Sequence, residues 1–189
     1  WVRWEGMKKF AVVDTETTWI DTVMSVGVVI ADAVDMHPVE TAYFVLAPEF
    51  SVGGMYENAL FHVRAGKPVI CSRREAMQQI VALCQKHGVD CIFAYNALFD
   101  KGHLPELCRM NWFDIMRLAA YVQYNRKIPH GAPLYRTGRL KSGYGVENML
   151  RLLSDDYGYH ETHNALIDAL DELDLMRLLG HSVDMYKKL

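Results

Sequence analysis

Several features that would place the chain in a special class of protein are missing. No stretch approaches the roughly 18 consecutive apolar residues that a membrane-spanning helix needs. The 4 cysteines are irregularly spaced and form no CxxC pair, which favours reduced thiols over disulfides or a zinc site. No basic start leads into an apolar signal segment with a small-residue cleavage site. We therefore expect a cytoplasmic protein with no membrane partner.

An excess of positive charge is also missing. The chain has 20 basic and 23 acidic residues, giving a net charge of −3 that does not by itself indicate a nucleic-acid-binding protein. It does not exclude one either, because the local distribution of charge matters more than the total. The 51% hydrophobic and 23% charged residues are typical of a globular domain.

Neither an internal repeat nor a low-complexity linker divides the chain, whose 189 residues suffice for a large core. We therefore expect a single domain over residues 7–189. The sequence of residues 1–6 is not typical of the start of a folded domain, whereas Met7 leads directly into an apolar run. We interpret residues 1–6 as an extension or an expression remnant.

Apolar and β-branched runs predict five strands, and the pattern favours a mixed-sheet α/β domain. The strands are expected at residues 10–17, 23–31, 41–46, 90–95 and 112–115. Short links between the first three predict an antiparallel meander. A capping box at Ser72 and Glu75 predicts a helix that ends at Gly88. Further helices are expected at residues 104–110, 116–124, 144–153 and 162–179.

Two acids lie in the second half of the first predicted strand. Asp14 and Glu16 are one residue apart, so both side chains point to the same face of the strand. Their charges repel unless a cation lies between them, and a hard divalent cation such as Mg²⁺ prefers such oxygen ligands. Simple solvation of both acids at a strand end is the alternative, and it is the commoner reason for an isolated D-x-E.

Further candidates stand at the ends of later elements. Asn96 and Asp100 follow the fourth predicted strand, and His163 and Asp168 open the last predicted helix. Each has an ordinary alternative. Asp100 could belong to a surface turn, His163 could be a helix-start or half-buried histidine, and Asp168 could be one more solvated helix acid.

Taken in order, the motifs D-x-E, N-x-x-F-D and H-x4-D resemble the DEDDh 3′→5′ exonucleases. This superfamily includes polymerase proofreading domains, ribonuclease T and oligoribonuclease, and the resemblance covers residues 7–180. His163 precedes Asp168 by five residues, as in the histidine branch, whereas the tyrosine branch would have Tyr in place of Asn164. The resemblance implies a ribonuclease H-like α/β fold: a five-stranded mixed sheet with helices on both sides.

The resemblance also implies a two-metal site with Mg²⁺ or Mn²⁺. Asp14 would bridge both ions, and Glu16 and Asp168 would complete the site on the nucleophile side. Asp100 would hold the other ion, partly through water. His163, with an ordinary pKa of about 6.5, would take a proton from the attacking water. The reaction implied is release of nucleoside 5′-monophosphates from the 3′ ends of single-stranded DNA or RNA.

Residues 115–146, called the basic segment below, contain no Asp or Glu but several Arg, Lys and Tyr residues. Basic groups contact phosphates and aromatic rings stack on unpaired bases, so Arg136 and Arg139 are candidate substrate contacts on a loop that could form a lid. A solvated loop or an oligomer contact fits equally well. Thr17, Trp19 and Asn96 are further candidate contacts. Many relatives follow the D-x-E-T motif with a Gly and an apolar residue, whereas here Thr18 leads to Trp19.

Two other functions stay open. The chain could be a catalytically weak nucleic-acid-binding or interaction module with the same fold, or a hydrolase of free nucleotides or other small phosphodiesters. The sequence does not decide between DNA and RNA. A homodimer and a polymerase or helicase partner are both compatible with it.

Overall fold

The computed structural model describes residues 7–189, so the interpretation of residues 1–6 lies outside the described part of the chain. One six-stranded sheet organises these residues, in the order β4-β3-β2-β1-β5-β6. The strands are β1 Lys9–Thr17, β2 Val23–Asp32, β3 Pro38–Leu46, β4 Val69–Cys71, β5 Cys91–Ala94 and β6 Asn111–Asp114. The α-helices are α1 Arg73–His87, α2 Ala97–His103, α3 Met116–Ala119, α4 Val146–Ser154 and α5 Ala165–Leu179.

The strand directions confirm the predicted mixed sheet. Strands β1, β2 and β3 form the antiparallel meander, while β5 pairs parallel with β1 and β6 parallel with β5. The sixth strand, β4, pairs parallel with β3 and was not predicted. It has only three residues, two of them exposed, so it carries neither the length nor the burial pattern of a predictable strand.

Alternate residues of β1 supply the two sides of the sheet. Phe10 and Val12 pack in the cluster that contains α4 and α5, whereas Ala11 and Val13 pack in the cluster that contains α1. The period of two in a strand makes this division unavoidable. Helices therefore cover both faces of the sheet, as the resemblance implied.

The helix predictions were right in some places and wrong in others. The capping box at Ser72 is present, and Gly88 ends α1 in the left-handed conformation. The expected helix at residues 104–110 is wrong: α2 precedes it, and only a 3-10 turn, Pro105–Leu107, follows. Pro105 explains the break, because its ring and missing N–H end a helix that reaches it.

Two further helices are shorter than expected. The helix expected at residues 116–124 ends at Ala119, where the buried Asn125 side chain donates a hydrogen bond of 2.8 Å to the Ala119 carbonyl. The last helix begins at Ala165 rather than near residue 162, because Asn164 caps it. The ambiguous stretch before β4 contains three 3-10 turns, Glu49–Val52, Glu57–Ala59 and Val63–Ala65.

One glycine determines how closely α5 approaches the sheet. A Cβ atom at Gly27 would lie 2.2 Å from the Ala165 carbonyl oxygen, so the first turn of α5 rests directly on the β2 backbone. Gly27 is also the β2 partner of Asp14 in β1. The start of α5, with Asp168 one turn in, is thereby placed beside the first predicted acid pair.

Within residues 7–189, none of the helices combines the length and the apolar character needed to cross a membrane.

Candidate active site

The structure brings together the four acids that the motifs predicted. Asp14 and Glu16 lie on β1, Asp100 on α2 and Asp168 on α5. They are called the acid cluster below. Single ligand atoms of Glu16, His163 and Asp168 all lie within 4.8 Å of one another, close enough to share one metal ion. Residues separated by about 150 positions in sequence thus converge at one end of β1.

The acids oppose one another's ionisation. Burial is the largest cause in every case, and it raises the pKa of Glu16 to about 9, of Asp168 to about 8 and of Asp100 to about 7. The pKa of Asp14 is also raised, by burial and then by Glu172 and the other acids. The carboxyl groups of the acid cluster therefore ionise readily only when a nearby positive charge compensates their negative charge.

Two oxygens of the acid cluster lack partners. Asp14 Oδ2 and Asp168 Oδ1 are buried and find no hydrogen-bond donor within residues 7–189. A buried carboxylate oxygen without a partner is costly in free energy. Hard divalent cations such as Mg²⁺ and Mn²⁺ take such oxygen ligands. The donor set and these unpaired oxygens fit a divalent metal site.

Two polar residues without a predicted role hold α2 in place. The Thr15 hydroxyl, between the two acids of β1, donates a hydrogen bond of 2.7 Å to Asp100 Oδ1. Asp114, at the end of β6, accepts hydrogen bonds from the backbone N–H groups of Asn96 at 2.9 Å and Met116 at 3.0 Å. Asn96 adopts a positive φ of 58° and leads directly into α2. These contacts fix the helix that carries Asp100.

His163 owes its position to its neighbour Asn164. The Asn164 side chain accepts hydrogen bonds from the N–H groups of Leu166 and Ile167 and so caps α5. Its amide also donates to the Tyr43 hydroxyl at 3.0 Å and to the Ala59 carbonyl at 2.7 Å. A short polar residue before an apolar helix is a recognisable capping signal, although the sequence interpretation used Asn164 only to exclude the tyrosine branch.

The local environment favours the neutral form of His163. Partial burial lowers the pKa of its imidazole, and the opposing effect of Glu147 is smaller. A neutral imidazole can accept a proton, whereas the protonated form cannot. His163 is therefore in the right state near pH 7 to act as a base.

A further buried acid, Glu172, was missed. It lies in α5 one turn after Asp168, is 2% exposed, and accepts a hydrogen bond of 3.2 Å from the Tyr95 N–H. Burial, followed by Asp100 and Asp168, raises its pKa well above the ordinary value. The spacing of four residues in a helix places both acids on the same face, which was the available signal.

Three of the candidate substrate contacts, Thr17, Trp19 and Asn96, lie in or next to β1 and α2, the elements that carry Asp14, Glu16 and Asp100. Thr17 ends β1 and is half-buried, whereas Asn96 is exposed at the start of α2. Trp19 is 65% exposed, and its backbone N–H donates to the Gly53 carbonyl at 3.0 Å. Most of the Trp19 side chain is therefore open to solvent, three residues after Glu16 in the sequence.

Several contacts within the basic segment hold it together. Isolated β-bridges join Tyr121 to Arg139 and Leu134 to Leu140. The Arg139 guanidinium lies 4.9 Å from the ring centre of Tyr135 and 5.2 Å from that of Tyr144. Arg136 is exposed on the same loop.

Tyr95, which directly follows β5, contacts the end of the basic segment. Its hydroxyl donates a hydrogen bond to the Tyr144 carbonyl. The backbone N–H of the same Tyr95 donates to Glu172, which borders the acid cluster. Tyr95 thus connects the end of the basic segment to Glu172. No contact between either arginine and the acid cluster is found within the described residues.

No protein-family model and no curated protein sequence matches this chain. Solved structures do match. The nuclease domain of 3′hExo, a DEDDh family member bound to rAMP, aligns over 96% of both chains with a TM-score of 0.65 and 13% identity. This chain has the fold of the DEDDh exonucleases.

Larger bacterial exonucleases also align. Exonuclease I of E. coli, solved with a 5cy-dT13 oligonucleotide, matches 92% of this chain and 41% of its own, with a TM-score of 0.57 and 15% identity. Exonuclease I of Methylocaldum szegediense matches 90% of this chain and 40% of its own, with a TM-score of 0.59 and 16% identity. The likeness to these solved structures confirms the predicted α/β architecture.

Proposed function

We propose that the protein is a metal-dependent 3′→5′ exonuclease that hydrolyses single-stranded nucleic acid. The acid cluster carries this proposal. Four carboxyl groups from three elements converge beside an imidazole, with two buried oxygens left unpaired in the described residues. Such an arrangement costs folding free energy, since charged groups are expensive to bury without partners. A catalytic metal site gives a physical reason for that cost.

Asp14, Glu16, Asp100 and Asp168 would hold the divalent ions, Mg²⁺ or Mn²⁺. Bound there, the ions supply an activated water and neutralise charge on the leaving oxygen. Hydrogen bonding from Thr15 orients the Asp100 carboxylate for this role. Asp168 is buried in the first turn of α5, whose start packs directly on β2 at Gly27.

His163 is the general base in this mechanism. Its imidazole takes a proton from the water whose oxygen attacks the terminal phosphorus. The bond between that phosphorus and the 3′ oxygen of the preceding nucleotide breaks, and the released 3′ oxygen takes a proton from solvent. The products are a nucleoside 5′-monophosphate and a strand shortened by one nucleotide. The lowered pKa of His163 keeps the base neutral near pH 7.

Residues on the exposed side of the site would bind the strand. The exposed Trp19 ring would stack on a base, and Thr17 and Asn96 would contact the strand beside the acids. Arg136 and Arg139 would contact phosphates farther along. Stacking and phosphate contacts tolerate any base sequence, which suits an exonuclease that works along an unpaired strand.

The proposal is tested with 3′-labelled DNA and RNA oligonucleotides in the presence of Mg²⁺ or Mn²⁺. The wild-type protein should release labelled mononucleotides, and Asp14→Asn should lose activity by about 1,000-fold, because a metal ligand accounts for several kcal/mol of transition-state stabilisation. Asp184→Asn, an exposed acid outside the cluster, is the matched control and should keep wild-type activity.

Other outcomes identify the alternatives. Binding of oligonucleotides without degradation would favour a catalytically weak binding module. Hydrolysis of mononucleotide esters without shortening of oligomers would favour a small-phosphodiester hydrolase. Comparison of the DNA and RNA rates decides the preferred substrate.

A further inference from the structure

A tyrosine with no predicted role lies flat against the imidazole of His163. The ring centres of Tyr56 and His163 are 3.8 Å apart, and the ring planes differ by 11°. Tyr56 immediately precedes the 3-10 turn Glu57–Ala59. Because a ring nitrogen of His163 lies within 4.8 Å of carboxylate oxygens of Glu16 and Asp168, the stacked Tyr56 ring lies beside the acid cluster. The pKa of Tyr56 is raised by burial and then by Glu16, Glu161 and Asp168. The stack is therefore part of the wall of the site.

Both partners of the stack are anchored to the same buried network. The Ala59 N–H donates to the Tyr56 carbonyl, and the Ala59 carbonyl accepts from the Asn164 side chain at 2.7 Å. The Tyr43 hydroxyl accepts from Asn164 and donates to the Leu60 carbonyl at 2.7 Å. Asn164 is 1% exposed, so this network is shielded from water. It fixes the backbone on each side of the two rings.

The imidazole itself needs such support. His163 has a positive φ of 55°, a conformation that few residues other than glycine adopt without cost. Its side chain is only half-buried, and no hydrogen bond to its ring contributes to its pKa within residues 7–189. Staggered rotamers would otherwise let the ring turn away from Glu16 and Asp168. The flat face of Tyr56 is the contact that restricts the ring plane.

We propose that Tyr56 is a positioning residue that holds the His163 imidazole in the plane from which it faces the acid pair Glu16 and Asp168. This inference rests on the proposed function, in which His163 accepts the proton of the attacking water. A general base works only within about 3 Å of that proton, so a ring free to rotate is seldom productive. The aromatic face carries the effect, and the hydroxyl does not.

The test compares Tyr56→Phe, Tyr56→Leu and Tyr56→Ala. Tyr56→Phe keeps the aromatic face and should retain activity within about twofold. Tyr56→Leu and Tyr56→Ala should each lower kcat by about 10-fold or more, with KM within about twofold, because misplacement of a reacting group by about 1 Å is costly. Tyr157→Ala removes an exposed tyrosine outside the site and should behave as wild type.

Several kinetic results would overturn the proposal. Equal losses in Tyr56→Phe and Tyr56→Ala would assign the role to the hydroxyl. A rise in KM at constant kcat would make Tyr56 a substrate contact, and a gain of activity in Tyr56→Ala would mean that the stack holds His163 away from its working position. Tyr56→Leu keeps bulk at the position, so the test stands even where the alanine variant folds poorly.

A second readout does not depend on activity. The aromatic ring of Tyr56 should shift the imidazole proton resonances of His163, which His163→Gln identifies among the 8 histidines. Tyr56→Phe should preserve the shift, and Tyr56→Leu should remove it. A wild-type protein that degrades no oligonucleotide would defeat the proposed function, whereas an unchanged resonance in Tyr56→Leu would defeat the stack.

Discussion

The acid cluster and the basic segment are built in opposite ways. The acid cluster gathers like charges in a partly buried site and raises their pKa values, with two oxygens unpaired in the described residues. The basic segment keeps Arg136 exposed and supports Arg139 with two tyrosine rings and a β-bridge. The first arrangement is unfavourable without a ligand, and the second is stable as it stands.

This difference explains why the sequence indicated a function for the acid cluster more clearly than for the basic segment. A site that works against stability is hard to account for by packing alone, so its residues point to function. Cationic and aromatic side chains on a surface loop are ordinary in any protein. Variants that change the burial or charge of the cluster should therefore alter stability strongly, whereas changes in the basic segment should affect only binding.

The largest effect is expected from Gly27→Ala. Its Cβ would meet the Ala165 carbonyl at 2.2 Å, which forces α5 away from β2 and moves Asp168 with it. We expect a loss of about 3 kcal/mol in the free energy of unfolding, measured by chemical denaturation, together with loss of nuclease activity. Gly102→Ala is the matched control, because a Cβ there meets nothing within 4 Å. Equal stability of the two variants would show that the close contact of α5 is not needed.

The second largest effect on stability is expected from a bound divalent metal ion. Mg²⁺ or Mn²⁺ at about 100 times its Kd should stabilise the protein by about 2.7 kcal/mol, seen as a rise in Tm. Asp168→Asn should reduce that rise, because it removes one of the converging carboxylates, whereas Asp184→Asn should not. A wild-type Tm that is indifferent to both metals would contradict the fit of the acid cluster to a cation.

The metal-free protein should lose stability as the pH rises. Glu16, Asp168 and Asp100 have pKa values of about 9, 8 and 7 in the fold, so the folded state binds more protons than the unfolded state above their ordinary values of about 4. Stability should therefore fall between about pH 4 and pH 9 and then level off.

Glu172→Gln tests the contribution of the buried acid that was missed. It removes a carboxyl that lies against the cluster and keeps the acceptor for the Tyr95 N–H. We expect about 1–3 kcal/mol more stability at pH 8 and little change at pH 4, by urea denaturation with a chelator present. Equal stability of the variant and wild type at both pH values would mean that the pKa of Glu172 does not change on folding.

The smallest effect belongs to the basic segment. The double variant Arg136→Glu and Arg139→Glu should raise KM by about 3–10-fold and flatten its salt dependence, since each lost phosphate contact lowers the slope by roughly 0.7. The free energy of unfolding should stay within about 0.5 kcal/mol of wild type. Arg74→Glu, exposed on α1, is the charge-matched control. Unchanged substrate binding would remove the basic segment from the substrate path.

The sequence predicted features that depend on local spacing. Asp14 and Glu16 lie on the same face of one strand, and His163 and Asp168 lie at the start of one helix. These residues could therefore be identified from the sequence as candidates for a metal site with a nearby base. Five of the six strands were expected, and the exception, β4, is a short exposed edge. The start of α2 was missed because Asn96 begins it in a left-handed conformation with no side-chain cap.

Other features arise only when distant segments meet. Gly27 is a mid-strand glycine until α5 rests on it, and Thr15 gains its role from Asp100, 85 residues away. Glu172 looks like a solvated helix acid until the sheet covers it. Tyr56 lies in a stretch without a clear hydrophobic periodicity. It stacks on His163 because the hydrogen bonds of Asn164 bring the two segments together. Contacts of this kind depend on tertiary packing, which single-sequence patterns do not encode.

The most direct measurement is the product pattern from a 5′-labelled single strand incubated with Mg²⁺. If the acid cluster is a two-metal nuclease site, the strand should shorten one nucleotide at a time from its 3′ end, and Asp14→Asn should leave it intact while Asp184→Asn degrades it normally. Persistence of the full-length strand with the wild-type protein, or equal degradation by Asp14→Asn, would contradict this assignment.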